Sequence, residues 1–161
     1  MGGGPAGLSA AEVIAKRGHQ ALVLEQNHEI GSPIRTSGGS FIDELEALDI
    51  PVRLYHPITR VRFLTPNNSA TFDYLAAKLC VMDVRGVFQH LATRAIDAGA
   101  QIRTATRVAG PMIENGVVKG AQTAAGTIQS KVVIDATGYR AAMLKQAGLD
   151  PGIQRFGVGA E

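Results

Sequence analysis

Glycine residues at the start of the chain have a spacing that suits pyrophosphate binding. Gly2, Gly4 and Gly7 follow the pattern G-x-G-x-x-G. In this pattern the first glycine permits a tight turn, the second lets the backbone approach the phosphates, and the third allows a helix to pack closely on a strand. The phosphates then lie at the helix N-terminus, where unpaired N–H groups and the positive end of the helix dipole attract anions.

An acidic residue closes the apolar run that follows. Glu25 comes eighteen residues after Gly7, at the end of a strand predicted over residues 21–24. Its carboxylate is expected to accept hydrogen bonds from ribose hydroxyls and to disfavour a 2′-phosphate, which predicts FAD or NAD rather than NADP. The alternative is a glycine-rich turn before an ordinary helix. The position of Glu25 at the end of the predicted strand favours the dinucleotide-binding interpretation.

A helix between the glycine turn and Gly18 must present this N-terminus. Its apolar side chains recur at helical spacing, and its polar side chains are expected to face solvent. The apolar set is Leu8, Ala11, Ile14 and Ala15, and the polar set is Ser9, Glu12 and Lys16. A fold of this kind also needs a buried strand before the first glycine, where the sequence has only Met1. The first strand is therefore expected to be missing.

The middle of the chain changes from helical to two-residue periodicity. Ser40 is predicted to cap a short helix, with Asp43 three residues later. Residues 58–74 alternate between apolar and polar side chains around a turn at 66–69, which predicts an antiparallel hairpin. A hairpin inserted in a parallel domain commonly begins a substrate-facing layer, and 58–74 is assigned to one.

The second half of the chain predicts further strands and two helices. The strands are predicted over 79–82, 100–104, 108–114, 117–123 and 132–134. Asp83 is expected to cap the long helix that follows it, and the pair Asn115 and Gly116 predicts a tight hairpin turn. The last strand opens onto a turn at Gly138 and a helix over 139–147, which predicts a second ligand-facing edge. The predicted fold class is α/β, a Rossmann-like domain with a parallel sheet plus antiparallel hairpins.

Composition excludes several classes of function. The chain has 161 residues, enough for one domain, and its net charge of +2 with no basic block argues against a nucleic-acid partner. It has no apolar run of membrane-spanning length and no signal-peptide pattern, so a cytoplasmic protein is predicted. Cys80 has no partner for an internal disulfide. The histidines have no metal-ligand spacing and are expected at the surface or in loops; they are His19, His28, His56 and His90.

The order of these motifs resembles the FAD domain of geranylgeranyl reductase-type flavoproteins, in the group that includes aromatic hydroxylases and flavin-dependent halogenases. The resemblance rests on the fingerprint, the terminal acid, and a Glu-Ile-Gly-x-Pro-x-Arg-x-x-Gly-Gly loop at 29–39. It also includes the Ala-Gly-Ala helix end at 98–100, the Asn-Gly hairpin and the final glycine turn. The resemblance covers 1–161 and implies a partial FAD/NAD(P)-binding domain, with the C-terminal substrate domain absent.

The resemblance implies a set of cofactor-binding residues but no catalytic residue. Arg35 and Arg85 would reach the phosphates or the flavin, although both are alternatively ordinary surface charges. The backbone of Val108 would contact the adenine, and Gly138 would form a second FAD-facing turn. The implied FAD-binding residues are Gly2, Gly4, Pro5, Ala6, Gly7, Glu25, Gln26, Arg35, Thr36, Arg85, Val108, Ala136, Thr137 and Gly138.

The chain departs from the family pattern at several positions. Thr36 stands where many members have a cysteine, and Thr137 replaces the acid of an Asp-Gly pair. Ala141 replaces a common serine, and Lys145 a common arginine. A Gly-Asp motif for the ribityl and phosphate end of the flavin is expected beyond Glu161. The chain is therefore expected to hold only part of an FAD site and to be inactive alone.

For the whole protein, the resemblance implies FAD-dependent reduction of isoprenoid double bonds in lipid or pigment biosynthesis. The substrate would be a small-molecule or lipid-like isoprenoid, and NAD(P)H or ferredoxin would be the electron donor. Such a protein is expected to contact the inner face of the membrane peripherally. The alternatives are an FAD-dependent monooxygenase or halogenase, and an inactive truncated FAD-binding module.

Overall fold

The computed structural model describes residues 1–139 and 141–149 of the chain. Arg140, which falls inside the predicted 139–147 helix, and the segment 150–161 lie outside the described residues. The described residues form two compact units. The first unit comprises Met1–Pro33 and the described residues from Phe88 onward, and the second comprises Ile34–Val87.

The elements mix helices and short strands, as the sequence predicts for an α/β fold. The helices are α1 (Pro5–Lys16), α2 (Ile42–Ala47), α3 (Val84–Asp97) and α4 (Ala142–Gln146). The strands are β1 (Leu22–Leu24), β2 (Gly39–Phe41), β3 (Tyr55–Ile58), β4 (Arg60–Leu64), β5 (Ser69–Asp73), β6 (Leu79–Met82), β7 (Gln101–Arg103), β8 (Val108–Glu114), β9 (Val117–Thr123) and β10 (Gly126–Gln129).

A parallel strand pair and α1 form the part of the first unit that carries the glycine turn. β1 pairs with β7 in parallel, with Val23 opposite Ile102. α1 begins with Pro5, whose fixed φ suits the first helical position, and packs on β1 through the buried Leu8 and Ala11. Gly18 follows the helix with φ +80°, which confirms the predicted helix end.

Glu12 is buried, so its predicted place on the solvent face of α1 is wrong. Its side chain is 6% exposed, and its Oε1 accepts hydrogen bonds from Lys16 Nζ at 2.6 Å and from Arg94 Nε at 3.1 Å. The hydrogen bond from Lys16 holds the pKa of Glu12 below its usual value; burial opposes this shift and Arg94 reinforces it. A buried carboxylate is tolerated when it is paired, and here the pairing joins α1 to α3.

The second unit contains a three-stranded antiparallel sheet in the order β2-β6-β3. Ser40 lies in β2 opposite Cys80, so the predicted helix cap at Ser40 is wrong. Because its backbone belongs to the ladder with β6, α2 begins at Ile42 instead. The predicted cap of α3 is confirmed, since the Gly86 N–H donates to Asp83 Oδ1 at 3.0 Å.

Both predicted hairpins are confirmed. β4 pairs with β5 in antiparallel, and the perpendicular rings of Phe63 and Phe72 lie 5.8 Å apart on one face. β8 pairs with β9 around Asn115 and Gly116, which have φ of 51° and 76°. β10, which extends this sheet along β9, was not predicted because its sequence Gly-Thr-Ile-Gln is short and has little apolar pattern.

The described residues contain no helix that is both long and apolar enough to cross a membrane. Within 1–139 and 141–149 no group of histidine, cysteine and carboxylate side chains is placed to hold a metal ion.

His90 departs from the predicted surface position, because it is half-buried and its Nε2 atom is enclosed. Cys80 is buried in β6, and burial raises the pKa of its thiol.

Candidate dinucleotide-binding site

The glycine turn lies between β1 and the segment that precedes Thr137. The Gly2 N–H donates to Leu24 O at 2.9 Å, and the Ala136 N–H donates to Met1 O at 2.9 Å. The Met1 amino group donates to Ile134 O at 2.7 Å. Residues 132–134 are not a strand, contrary to the prediction: Met1 bonds to Ile134, and one such contact among the described residues does not make a ladder of hydrogen bonds.

Two of the fingerprint glycines are enclosed by backbone. Gly2 has φ +99°, and a Cβ there would overlap the carbonyl group of Ala136. A Cβ on Gly7 would overlap the Gly2 carbonyl oxygen and lie 3.3 Å from the Ala136 Cβ. The structure therefore brings Gly2 and Gly7 together, as the spacing predicts for a tight turn packed against a helix, and it also places Ala136 beside them.

Gly4 differs from these two glycines because its surroundings are open. A Cβ on Gly4 would meet no atom of residues 1–139 and 141–149 within 4 Å. Gly4 is the N-cap of α1, and no side chain among the described residues caps this end of the helix. Pro5 has no N–H group, so Ala6 and Gly7 provide the first backbone amides of the helix. An uncapped N-terminus of a twelve-residue helix beside open space suits an anionic group.

Gly3 is a site residue that the fingerprint does not include. Its N–H donates to Glu25 Oε2 at 2.7 Å. A Cβ on Gly3 would lie 2.5 Å from Ile30 Cδ1 and 3.0 Å from Glu25 Oε2, so a side chain would separate the turn from the carboxylate. The middle glycine of the run Gly2–Gly4 was the signal that could have revealed this contact.

The backbone fixes Glu25 just beyond the parallel strand pair. Its N–H donates to Arg103 O at 2.9 Å, and its own carbonyl accepts from the Thr106 N–H at 2.8 Å. Val108 comes two residues after Thr106, at the start of β8. The Gln26 side chain is exposed. Among the residues predicted to contact the adenosine, Glu25 and Gln26 therefore come directly after β1, and Val108 comes shortly after the end of β7.

Asn27 completes the surroundings of the Glu25 carboxylate. Both the Asn27 backbone N–H and its side-chain Nδ2 donate to Glu25 Oε1, each at 2.8 Å. The Asn27 carbonyl accepts from the Ala105 N–H at 2.7 Å, which fixes this part of the loop. Sequence reasoning missed Asn27, because its only signal was its place two residues after the acid.

The second predicted turn, around Thr137, is held by hydrogen bonds of the Asp135 side chain. Asp135 Oδ1 accepts from the Thr137 hydroxyl at 2.6 Å, and Oδ2 accepts from the backbone N–H groups of Met143 at 2.9 Å and Leu144 at 3.0 Å. Burial acts to raise the pKa of Asp135, but these hydrogen bonds outweigh it and hold that pKa below the usual range. The carboxylate thus occupies the start of α4.

The same contacts explain why the last helix begins later than predicted. α4 starts at Ala142 rather than at 139, because Ala141 adopts a left-handed conformation with φ 42°. The Ala142 N–H donates to the Thr137 hydroxyl oxygen at 3.1 Å. Gly138 is exposed with φ +80°, and no atom of the described residues lies within 4 Å of a Cβ position there.

Three predicted cofactor residues belong to the second unit. Arg35 and Thr36 lie in the loop before β2, and Arg85 lies in the first turn of α3. All three are exposed. Their roles near the phosphates or the flavin stay predictions.

Comparisons with known proteins agree with this geometry. Residues 1–77 match the family model described as an NAD(P)-binding Rossmann-like domain. The chain is 33% identical to the digeranylgeranylglycerophospholipid reductase of Methanoculleus marisnigri, over 93% of this chain and 40% of that protein. The chain is similar to the geranylgeranyl reductases over nearly its whole length.

Solved structures extend the comparison to the fold. A geranylgeranyl bacteriochlorophyll reductase-like protein from Thermoplasma acidophilum superimposes with a TM-score of 0.82 at 29% identity, covering 96% of this chain and 42% of that one. A probable FAD-dependent monooxygenase from Pseudomonas aeruginosa, with TM-score 0.64, 14% identity and coverage of 85% and 41%, shares the fold alone. The predicted Rossmann-like fold and the resemblance to geranylgeranyl reductase-type proteins are confirmed. The chain spans about 40% of the length of the curated relatives it matches.

Proposed function

We propose that this chain is the nucleotide-binding part of an FAD-dependent reductase that acts on isoprenoid double bonds. The observation that carries the proposal is the glycine turn with Glu25 beside it, in a chain that is 33% identical to a digeranylgeranylglycerophospholipid reductase. Because the chain spans 40% of that relative, the activity is proposed for the whole protein. Biosynthesis of lipids or pigments is the setting in which such a reaction is used.

The residues present fit the adenosine diphosphate half of FAD. The open space at Gly4 leaves room for a pyrophosphate, which the amides of Ala6 and Gly7 would bind at the start of α1. The Gly3 N–H donates to the Glu25 carboxylate and keeps it close to the glycine turn. In this position the carboxylate would accept hydrogen bonds from the ribose. These residues bind and orient the nucleotide.

The remaining residues are proposed to contact other parts of FAD. When bound, reduced FAD would supply a hydride to one alkene carbon while a proton from a separate donor reaches the other, and NAD(P)H or ferredoxin would supply the electrons that reduce the flavin again. Arg35 and Arg85 are proposed to neutralise phosphate charge, and the backbone of Val108 to contact the adenine. Five further residues are proposed to contact FAD from the loop after β1, the loop before β2 and the second turn: Gln26, Thr36, Ala136, Thr137 and Gly138. Thr36 supplies no thiol for a cysteine-dependent step.

The β4–β5 hairpin is proposed to begin a substrate-facing layer. Its apolar face carries Phe63, 61% exposed, and Phe72, 49% exposed. Apolar surface of this kind suits contact with a lipid-like isoprenoid chain. A substrate that resides in lipid also implies peripheral contact of the whole protein with the inner face of the membrane.

Anaerobic reoxidation of the flavin in the whole protein tests the proposed reaction. The protein is reduced, mixed with a geranylgeranyl lipid without oxygen, and followed by flavin absorbance. We expect the oxidised spectrum to return with the unsaturated lipid and not with a fully saturated lipid of the same length. Absence of reoxidation contradicts the proposal, and fast oxygen consumption stimulated by the substrate points to a monooxygenase or halogenase instead.

A further inference from the structure

The Glu25 carboxylate already accepts three hydrogen bonds from the described residues. The Gly3 N–H donates to Oε2 at 2.7 Å, and the Asn27 N–H and Nδ2 both donate to Oε1 at 2.8 Å. A carboxylate offers about four acceptor positions, two on each oxygen. Oε1 is therefore fully used, and one position is left on Oε2.

A ribose presents two neighbouring hydroxyl groups, and each needs an acceptor. If both are to bind Glu25, one of the three present donors has to leave. Two of them are backbone groups in fixed places: Gly3 is enclosed by Ile30 and Glu25, and the Asn27 backbone is held by its bond from Ala105. The Asn27 side-chain amide is the donor that rotation about single bonds can remove.

We propose that the Asn27 side chain occupies the position on Glu25 that a ribose hydroxyl takes, and that it is displaced when the nucleotide binds. This inference rests on the proposed function of the same site. In this proposal, the hydrogen bond from Asn27 to Glu25 sets how strongly the second ribose hydroxyl contributes to the affinity for the nucleotide. Glu25 keeps its orientation when Asn27 leaves, because the two backbone donors remain.

Removing the competing donor tests the inference. The chain, its Asn27→Ala variant and a His28→Ala control at the exposed neighbouring position are titrated calorimetrically with ADP and with 2′-deoxy-ADP. We expect Asn27→Ala to bind ADP about three- to tenfold more tightly, the usual effect of one exchangeable hydrogen bond on an equilibrium. Its affinity for 2′-deoxy-ADP should stay unchanged, because the remaining hydroxyl uses the open position on Oε2. His28→Ala should match the unsubstituted chain with both ligands.

The outcomes separate this inference from the proposed function. If the unsubstituted chain does not bind ADP, both are overturned. If it binds ADP but Asn27→Ala binds ADP equally or more weakly, the inference alone is overturned. A second measurement needs no variant: on saturation with ADP, the NMR signals of the Asn27 Nδ2 hydrogens should move to the values of a solvent-exposed amide. Signals that stay in place at saturation overturn the displacement.

Discussion

Substitution of Gly4 by alanine should remove nucleotide binding without unfolding the chain. A Cβ at this position meets no atom within 4 Å in the part of the chain that the structure describes, and the backbone angles of φ −82° and ψ 178° are ordinary for alanine. Alanine is a poorer N-cap than glycine by up to about 1 kcal/mol. It also lowers the entropy of the unfolded chain, which stabilises by about 0.4–1 kcal/mol. The free energy of unfolding should therefore change by less than about 1 kcal/mol.

Gly7→Ala is the matched comparison three positions later. Here the Cβ would overlap the Gly2 carbonyl oxygen and lie 3.3 Å from the Ala136 Cβ, so backbone has to move. Overpacking of this kind costs up to about 3 kcal/mol, and the better helix propensity of alanine offsets about 1 kcal/mol. We expect a net loss of about 2 kcal/mol in the free energy of unfolding.

Urea denaturation followed by circular dichroism measures both stabilities, and calorimetric titration with ADP measures binding. Gly4→Ala should keep its denaturation midpoint and lose ADP affinity, because its Cβ fills the space proposed for the pyrophosphate. Gly7→Ala should lose both stability and affinity. ADP binding by Gly4→Ala that equals that of the unsubstituted chain refutes the assignment of the phosphates to Gly4.

The remaining predictions concern charged residues. Glu25→Ala in the whole protein should weaken FAD binding by about 2 kcal/mol, the value of one or two charge-assisted hydrogen bonds; unchanged FAD retention after dilution would remove the assignment. Glu12→Ala should lower the free energy of unfolding by about 3 kcal/mol, because Arg94, only 27% exposed, loses its ion pair with Glu12; a urea midpoint equal to that of the unsubstituted chain contradicts this. The lowered pKa values of Glu12 and Asp135 predict stability that is present above about pH 4 and lost as pH falls through those lowered values. Asp135→Asn should reduce this acid sensitivity in urea denaturation at pH 3 and 7, and an undiminished difference between the two pH values counts against the hydrogen bonds as its cause.

Features with short-range signals could be predicted from the sequence. Asn115 and Gly116 favour positive φ at two successive positions, which specifies a tight hairpin without reference to the rest of the chain. The helical spacing after Gly7 and the glycine at position 18 likewise specified α1 and its end. The glycine spacing located the turn because each enclosed position excludes a side chain.

Features that depend on distant partners could not be predicted in this way. Ser40 has the chemistry of a helix cap, but pairing with Cys80, forty residues away, places it in a strand. Glu12 looks like a solvent-facing residue until Arg94, 82 positions later, is known to lie beside it. The spacing of polar residues along one helix contains no information about such a partner.

Within the candidate site, the position of Glu25 was predictable but the hydrogen-bond donors to its carboxylate were not. Glu25 follows from the strand pattern and the distance to the glycines. The contact of Asn27 with its carboxylate depends on the path of the loop, which the Ala105 N–H fixes through the Asn27 carbonyl. The closure of the second turn by Asp135 likewise depends on where α4 begins.

Amide chemical-shift mapping of the chain with ADP tests the central claim most directly. The largest changes should occur at residues 3–7, around the turn and the start of α1, and at 25–27 beside the carboxylate. The β8–β9 turn at Asn115 and Gly116 should not respond. No change at millimolar ADP, or changes that are largest outside the turn and the Glu25 loop, would contradict the claim that this chain holds the adenosine diphosphate half of a dinucleotide.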